Sequence, residues 1–249
     1  MISHKINIIR PLIFTLLFYS WTAIIGLAAI PLLPCQTKTI MVVGRFWVKG
    51  TFLILKLIIG IEYRERGKKF IEDGPVIIAM KHQSAWDTLA INLMTKNAAI
   101  VLKKELLLIP IFGWYLKRAN HIAVDRNGGA LALKEMLKQA RKQLTAGRTV
   151  VIYPQGTRTL PGRKKAYHHG VAALYLSLNQ TVVPVALNSG LFWPRRSLKM
   201  NSGKIIIEYL KPIPPGLNRK EFMHELENSI ETATISLQNE ALENFSIYN

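Results

Sequence analysis

The sequence contains a single cysteine, Cys35, among 249 residues. One cysteine cannot form an internal disulfide, and it excludes zinc sites that are built from several thiolates. Cys35 ends an apolar run far along the chain from the candidate catalytic histidine, so it is a poor candidate for a nucleophile. The chain also lacks a G-x-S-x-G nucleophile elbow, which argues against a serine hydrolase that uses Ser84 or Ser189.

Acidic residues are scarce. The 15 Asp and Glu face 33 Lys and Arg, which gives a formal net charge of +18. Such a charge predicts an anionic partner, which could be nucleic acid, an anionic membrane surface or a phosphorylated substrate. Nucleic-acid motifs and interleaved aromatic and basic residues are absent, which argues against nucleic acid. The length is sufficient for one large domain, alone or with a small appendage.

Charged residues are missing from residues 12–33. As a helix rising about 1.5 Å per residue, this run could cross a ~30 Å hydrocarbon core. A secretory signal is the rival interpretation, but no small-x-small cleavage pattern follows. A second apolar run, 46–61, carries Lys49 and Lys56 on one helical face, where they could reach lipid headgroups. We predict a membrane-embedded two-helix segment over residues 1–61, as a hairpin or within one leaflet.

Residues 62–249 alternate short apolar runs with helical patterns, which predicts an α/β domain with a largely parallel sheet flanked by helices. Pro184 lies within one predicted strand and favours a sheet edge or a strand start. Asn218 is expected to cap a terminal helix. The predicted strands lie near residues 61–63, 76–80, 98–102, 121–124, 149–153, 181–187 and 204–210.

The turn after the strand at 76–80 contains His82 and Asp87. Imidazole accepts a proton near neutral pH, and a carboxylate on its other nitrogen would fix the tautomer and stabilise the imidazolium. Within one helix the two side chains would lie about 140° apart, so His82 must precede the helix and Asp87 must lie in its first turn. The capping-box form of Ser84-Ala85-Trp86-Asp87 predicts that geometry. The alternative is that Asp87 only caps the helix.

Two further polar turns follow strands, and they contain Asp125-Arg126 and Gln155-Gly156-Thr157-Arg158. The ends of parallel strands share one sheet edge, so these turns are expected to converge on the His82 turn. Guanidinium groups match phosphate geometry, although carboxylate ion pairs are the alternative. A histidine base beside phosphate indicates direct attack by a substrate hydroxyl on an activated acyl group. Backbone N–H groups in the Gly156 turn or at the start of the Ser84 helix are candidates for holding the oxyanion.

Four blocks occur in the order typical of the glycerolipid acyltransferase family, and the chain resembles its bacterial 1-acyl-glycerol-3-phosphate acyltransferases. The blocks are His82-x-x-x-x-Asp87, NHIAVDR at 120–126, YPQGTR at 153–158 and VPVAL at 183–187. The resemblance covers roughly residues 76–188. It implies transfer of an acyl chain from acyl-CoA or acyl-carrier protein to the sn-2 hydroxyl of lysophosphatidate, giving phosphatidate, with no cofactor and no metal.

The resemblance also implies roles for individual residues. His82 would be the general base and Asp87 its orienting partner. Gln155 stands where the family usually has Glu, and we expect it to position a hydroxyl rather than to exchange protons. Asn120 replaces a usual Gly, and Asn tolerates the left-handed conformation that such a turn requires. The residues assigned to the acceptor site are Arg126, Gln155, Gly156, Thr157 and Arg158, with Lys103 or Lys104 assisting at the phosphate and Pro184 shaping the site.

The same resemblance implies an enzyme of the inner (cytoplasmic) membrane, with its active site on the cytoplasmic side. Its partners would be lysophosphatidate, an acyl thioester, anionic membrane lipids and acyl-carrier protein, and not nucleic acid. The apolar segment 103–114 would line an acyl groove or contact the bilayer. Two alternative functions stay open: the same chemistry on another lysolipid, and a non-catalytic basic module that binds anionic lipid.

Overall fold

The computed structural model describes residues 8–71, 74–195 and 197–247, with side chains described as far as residue 243. These residues form one seven-stranded sheet with helices on both faces. The strands are β1 (Ile61–Arg66), β2 (Ile77–Met80), β3 (Ala98–Lys103), β4 (Ile122–Val124), β5 (Thr149–Ile152), β6 (Val182–Leu187) and β7 (Gly203–Tyr209). The α-helices are α1 (Ile9–Ala28), α2 (Thr37–Ile59), α3 (Ala85–Met94), α4 (Phe112–Arg118), α5 (Gly129–Thr145), α6 (Gly170–Leu178) and α7 (Arg219–Ile247).

The strand order is β1-β7-β6-β2-β5-β3-β4. The five strands from β6 to β4 are parallel, while β7 runs antiparallel to β6, and β1 runs parallel to β7. The predicted, largely parallel sheet flanked by helices is therefore confirmed, with two reversed strands at one side. The carboxyl ends of β2, β4, β5 and β6 share one edge, so the turns that follow them lie at that edge.

Two apolar layers cover the two faces of the sheet, and β2 alternates between them. Ile78 and Met80 belong to the layer that contains α1, α2 and α3. Ile77 and Ala79 belong to the layer that contains α5, α6 and the first half of α7. This period of two follows from the pleat, and it makes β2 a fully buried central strand.

Pro184 lies inside β6, the third strand in the sheet order, so the expectation of an edge strand or strand start is wrong. The carbonyl of Pro184 accepts from the Leu210 N–H at 2.9 Å, on the side of β6 that faces β7. The β6–β7 pairing runs only from Val185, opposite Tyr209, to Leu187. By this register Pro184 lies opposite Leu210, so the bond that proline cannot make is the reciprocal one to the Leu210 carbonyl, and the loss falls at the end of the ladder rather than in its middle.

The two predicted N-terminal helices are present and pack against each other. Of the described helices, only α1 is long and apolar enough to cross a membrane. Phe14 of α1 is 2% exposed and meets Trp193 edge to face, with ring centroids 5.2 Å apart. In α2, Phe52 stacks on Trp86 of α3 at 5.3 Å. Both helices thus contribute side chains to the core of the sheet, and the domain boundary at residue 61 stays a prediction.

Candidate active site

The turn between β2 and α3 is built around the Asp87 carboxylate. Ser84 is the N-cap of α3, and its Oγ accepts from the Trp86 N–H at 3.1 Å. Asp87 Oδ2 accepts in return from the N–H groups of Gln83 and Ser84, at 2.7 and 2.8 Å. This is the predicted capping box, and it fixes a fully buried carboxylate at the end of β2.

His82 lies outside the helix and contacts the capping carboxylate. Its Nδ1 is 2.9 Å from Asp87 Oδ2, and its side chain is 13% exposed. Because a carboxylate can only accept, this bond places the ring proton on Nδ1 and leaves Nε2 as the basic nitrogen. Asp87 therefore caps the helix and orients the histidine at the same time, so the two roles considered from the sequence are not exclusive.

Tyr153, directly after β5, supports this pair from the sheet. Its ring stacks on the His82 imidazole with centroids 4.3 Å apart, and its hydroxyl donates to the Asp87 carbonyl at 3.2 Å. Burial chiefly, and the Asp87 charge as well, raise the pKa of Tyr153 well above its usual value. Tyr153 is therefore a neutral donor that fixes the imidazole plane, a role that the sequence did not predict.

A second unpredicted partner of Asp87 comes from the turn after β6. The hydroxyl of Ser189 donates to Asp87 Oδ1 at 2.5 Å, and both residues are fully buried. Ser84 Oγ is occupied as the helix cap. Neither serine hydroxyl is therefore presented as a nucleophile, which agrees with the missing elbow. The only sequence signal for Ser189 was its place just past a strand that ends at this edge.

Gln155 lies in a buried network behind His82. Its Oε1 accepts from the Thr159 hydroxyl at 2.7 Å, and its Nε2 is 3.4 Å from the Lys165 carbonyl. The N–H of Thr159 donates to the His82 carbonyl at 2.8 Å. Gln155 therefore holds a loop against the histidine backbone, and its role towards a substrate hydroxyl stays a prediction.

The turn at Gly156 meets Arg126 and a histidine that the sequence did not indicate. Gly156 has a φ of +63°, and a Cβ there would lie 2.8 Å from His168 Cδ2 and 3.8 Å from Arg126 Nη1. The pKa of Arg126 is lowered by burial, an effect that Glu105 opposes. The pKa of His168 is lowered by burial first, and then by the charges of Lys165, Arg126 and His169. We call Arg126, Lys165, His168 and His169 the cationic cluster; Arg126 and Lys165 supply its charge, while the lowered pKa leaves His168 neutral near pH 7.

The other predicted acceptor residues lie in strands that end at this edge or in the segments that follow them. Lys103 is the last residue of β3 and pairs with Val124 of β4, which lies two residues before Arg126. Lys104 directly follows Lys103. The Arg158 carbonyl accepts from Arg195 Nη1 at 3.2 Å. The remaining two are Thr157, half-buried in the Gly156 turn, and Pro184, buried inside β6. Their roles in acceptor binding stay predictions.

Four of the backbone donors considered for the oxyanion are already engaged within turns. The Gly156 N–H donates to the Tyr153 carbonyl at 2.8 Å. At the start of α3, the N–H groups of Gln83 and Ser84 bind the Asp87 carboxylate, and that of Trp86 binds the cap. Because each N–H has one proton to donate, these four groups are committed, and the oxyanion role of the other N–H groups in the Gly156 turn and the first turn of α3 stays a prediction.

The chain is similar to known acyltransferases. The model of the family described as Acyltransferase matches residues 60–188, just over half of the chain. A 1-acyl-sn-glycerol-3-phosphate acyltransferase of Pseudomonas aeruginosa is 34% identical over 203 residues, which cover 80% of this chain and 79% of that protein. One of Cocos nucifera with the same name is 28% identical over 68% of this chain and 56% of that protein.

A solved structure shares the fold. The crystal structure of the 1-acyl-sn-glycerophosphate (LPA) acyltransferase PlsC from Thermotoga maritima matches with a TM-score of 0.76, 21% identity, and coverage of 92% of this chain and 97% of that one. The matched residues 60–188 run from the start of β1 to just past β6 and contain the His82–Asp87 pair, the Gly156 turn and Arg126. On the family match and the Pseudomonas relative together, this chain belongs to the Acyltransferase family.

Proposed function

We propose that the protein transfers a fatty acyl chain from an acyl thioester to the sn-2 hydroxyl of 1-acyl-glycerol-3-phosphate (lysophosphatidate), which gives phosphatidate. The single observation that carries this proposal is the His82 Nδ1–Asp87 Oδ2 bond of 2.9 Å at the edge of the sheet that also holds the cationic cluster. A base and an anion-binding surface are the two parts that attack by a phosphorylated alcohol requires. The names of the two relatives support this choice of substrate.

In the proposed reaction, Nε2 of His82 removes the proton from the acceptor hydroxyl as its oxygen attacks the thioester carbonyl. Asp87 stabilises the imidazolium that forms. The tetrahedral intermediate then expels the thiolate, which takes the proton back from His82 and leaves as a thiol. The new ester bond replaces the thioester bond, the base is regenerated and no acyl-enzyme forms. These steps need no cofactor and no metal.

We assign the acceptor phosphate to the cationic cluster and its neighbours Arg158, Lys103 and Lys104. Arg126 is exposed beside the Gly156 turn, so a phosphate in solution can reach its guanidinium, which matches phosphate geometry. The acyl donor is acyl-CoA or acyl-carrier protein. Both present the same thioester, and an assay with each of them separates the two sources.

We propose that the protein is bound to the inner membrane, with the catalytic edge on the cytoplasmic side where acyl thioesters are made. The outer face of α1 exposes large apolar side chains, including Leu16, and α4 and the short helical turn before it expose Leu108 and Trp114. On the inner face of α1, Phe14 is buried against Trp193 of the catalytic domain. One side of α1 thus packs in the domain core and the other side exposes apolar side chains. This arrangement favours two N-terminal helices that lie in one leaflet over a single helix that crosses the bilayer alone.

An acyl-transfer assay tests the reaction and the substrate. Purified protein is incubated with labelled acyl-CoA or acyl-carrier protein and a panel of lysolipids with different headgroups, beside His82→Ala. We expect turnover that prefers lysophosphatidate and is lost in the variant, while vesicle binding is kept. Turnover without that preference would overturn the substrate assignment. Anionic-lipid binding that weakens steeply with salt, without any turnover, would instead identify a binding module.

A labelling experiment tests the membrane placement. In a Cys35→Ser background, an environment-sensitive dye is attached at Leu16→Cys, at Leu108→Cys or, as a control, at Leu131→Cys. Leu131 is 80% exposed, but it lies on α5, on the opposite face of the sheet. With anionic vesicles, we expect a blue shift at positions 16 and 108 and none at 131. An unshifted spectrum at position 16 would rule out the proposed leaflet contact. In intact cells, a membrane-impermeant thiol reagent should not reach position 131.

A further inference from the structure

The Ser189 hydroxyl donates to Asp87 Oδ1, the carboxylate oxygen that His82 does not contact. Asp87 Oδ2 already accepts from His82 Nδ1 and from the N–H groups of Gln83 and Ser84. Asp87 Oδ1 accepts from the Ser189 hydroxyl at 2.5 Å, in a site where both residues are fully buried. A carboxylate has about four acceptor positions, and leaving a buried one unmet destabilises the ion.

The turn that carries Ser189 is held in place on three sides. The Gly190 N–H donates to Gln83 Oε1 at 3.2 Å, which ties this turn to the turn of the histidine. The Asn188 side chain accepts from the Ile206 N–H of β7 at 2.9 Å and donates to the Leu237 carbonyl of α7 at 3.2 Å. The hydroxyl between these anchors therefore has a defined position relative to the sheet.

We propose that Ser189 is a positioning residue for acyl transfer. Its hydroxyl fixes the rotation of the Asp87 carboxylate and draws negative charge towards Oδ1, so that Oδ2 meets His82 in one geometry. This inference rests on the proposed function, in which His82 is the base. Without the hydroxyl, Oδ2 carries more charge and binds the imidazolium more tightly, while the carboxylate loses one of the four hydrogen bonds that orient it. The histidine is then aimed less well and releases its proton only at higher pH.

The test compares Ser189→Ala, Ser189→Thr and the control Thr234→Val. We expect Ser189→Ala to lower kcat about tenfold to a hundredfold. Both KM values should change less than twofold, and the acid limb of the kcat–pH profile should move to higher pH. Ser189→Thr keeps a hydroxyl and should restore most of kcat and the original limb. Thr234 is buried on α7, and its hydroxyl has no hydrogen-bond partner among the described residues, so its removal should change neither quantity.

Several outcomes would overturn this role. One is full activity in Ser189→Ala. Another is a loss of kcat with an unmoved acid limb and no rescue by threonine, which would show a purely structural contribution. If the alanine variant does not fold, Ser189→Cys provides a near-isosteric, weaker donor, and an acid limb identical to wild type in that variant counts against the proposal.

A second readout does not depend on turnover. The rate at which diethyl pyrocarbonate modifies His82, followed by mass spectrometry of its peptide as a function of pH, reports the unprotonated imidazole directly. If the wild-type protein shows no acyl transfer, the proposed function is wrong. A modification profile moved to higher pH in Ser189→Ala would still support the role of Ser189, so the two failures are distinguishable.

Discussion

The ring of Tyr153 stacks on the imidazole of His82 with centroids 4.3 Å apart, while its hydroxyl donates to the carbonyl of Asp87 at 3.2 Å. One buried side chain thus contacts both members of the catalytic pair. We expect Tyr153→Phe, which keeps the stack, to lower kcat less than about tenfold, in line with the loss of one neutral hydrogen bond. Tyr153→Ala removes the surface on which the imidazole rests and should lower kcat much further. Equal losses in kcat for the two variants would contradict a role for the ring.

Arg158 and Arg126 are expected to bind the acceptor phosphate. Replacing either by alanine should raise the acceptor KM about tenfold to a hundredfold, the range for a lost charge-assisted hydrogen bond, and change the donor KM much less. Steady-state kinetics with each substrate varied in turn measures both constants. Lys138→Ala, on the exposed face of α5, is the control and should change neither KM. An acceptor KM that stays at the wild-type value would remove the corresponding arginine from the phosphate site.

Gly156 and Gly162 form a matched pair, because both have positive φ, +63° and +73°. A Cβ at Gly156 would lie 2.8 Å from His168, whereas nothing lies within 4 Å of a Cβ at Gly162. Both alanine variants carry the same backbone strain of about 1 kcal/mol. We therefore expect Gly156→Ala alone to displace His168 and raise the acceptor KM. Matching kinetics in the two variants would show that the contact with His168 does not matter to acceptor binding.

Lys81, next to His82, forms a buried ion pair with Glu231 of α7 at 2.6 Å, with 2% of its side chain exposed. The Tyr167 hydroxyl donates to the same carboxylate at 2.8 Å. Lys81→Met leaves the Glu231 carboxylate, which is 14% exposed, without its cation, so the free energy of unfolding should fall by up to about 3–5 kcal/mol. Lys81→Met with Glu231→Gln removes the charge, keeps an acceptor for Tyr167 and should recover part of the loss.

The control for that prediction is a pair at the surface. Lys56 and Glu62 lie 2.8 Å apart with both side chains largely exposed. Lys56→Met should lower the free energy of unfolding by less than about 1 kcal/mol. Chemical unfolding in detergent measures each variant, and a Lys81→Met loss as small as that at Lys56 would show that the buried carboxylate finds another partner.

His121 gives the fold a predictable sensitivity to acid. Its Nδ1 accepts from the Ile100 N–H at 3.2 Å, so it must be unprotonated in the native state. Burial first, and the Arg148 charge second, lower the pKa of His121 from 6.5 to about 4. Between these values the unfolded chain binds more protons than the native one, so stability is full above pH 6.5 and falls as the pH drops towards 4.

The loss of stability from His121 should reach roughly 2–3 kcal/mol at the acid end. His121→Gln keeps an acceptor but does not titrate, and it should remove this part of the pH dependence. Thermal unfolding of the wild type and the variant at pH 7.5 and pH 5 measures the difference, and other histidines cancel in the comparison. Parallel curves for the two proteins would show that His121 does not couple to folding.

Much of the architecture could be predicted because it follows from local patterns. The strand positions agree with the predicted ones to within a few residues, and the capping box correctly placed His82 and Asp87 in contact. Asn218 caps α7 as expected, accepting from the Lys220 and Glu221 N–H groups. Asn120 has the left-handed φ of +53° that its place in the turn required. Each of these features depends on residues close together in sequence.

The errors and omissions concern contacts between distant segments. The apolar pattern of a strand does not tell its direction in the sheet, so the sequence could not predict that β7 and β1 are reversed. For the same reason it could not explain why the internal strand β6 tolerates Pro184. Ser189 reaches Asp87 across 102 positions of the chain, and Tyr153 and His168 reach the site in the same way. Such contacts depend on which strands are neighbours in the sheet, and that order is a property of the whole fold.

Phe52 of α2 stacks on Trp86, the residue directly before Asp87, at 5.3 Å and nearly parallel. A truncation that begins at Ile61, the usual route to a water-soluble catalytic fragment, would remove Phe52 and expose the Trp86 indole to solvent. Trp86 lies in the same helical turn as Asp87, so the catalytic carboxylate would lose part of its packing. Kinetic work is therefore best done on full-length protein in detergent micelles or nanodiscs, and inactivity of a truncated version would say nothing about the chemistry.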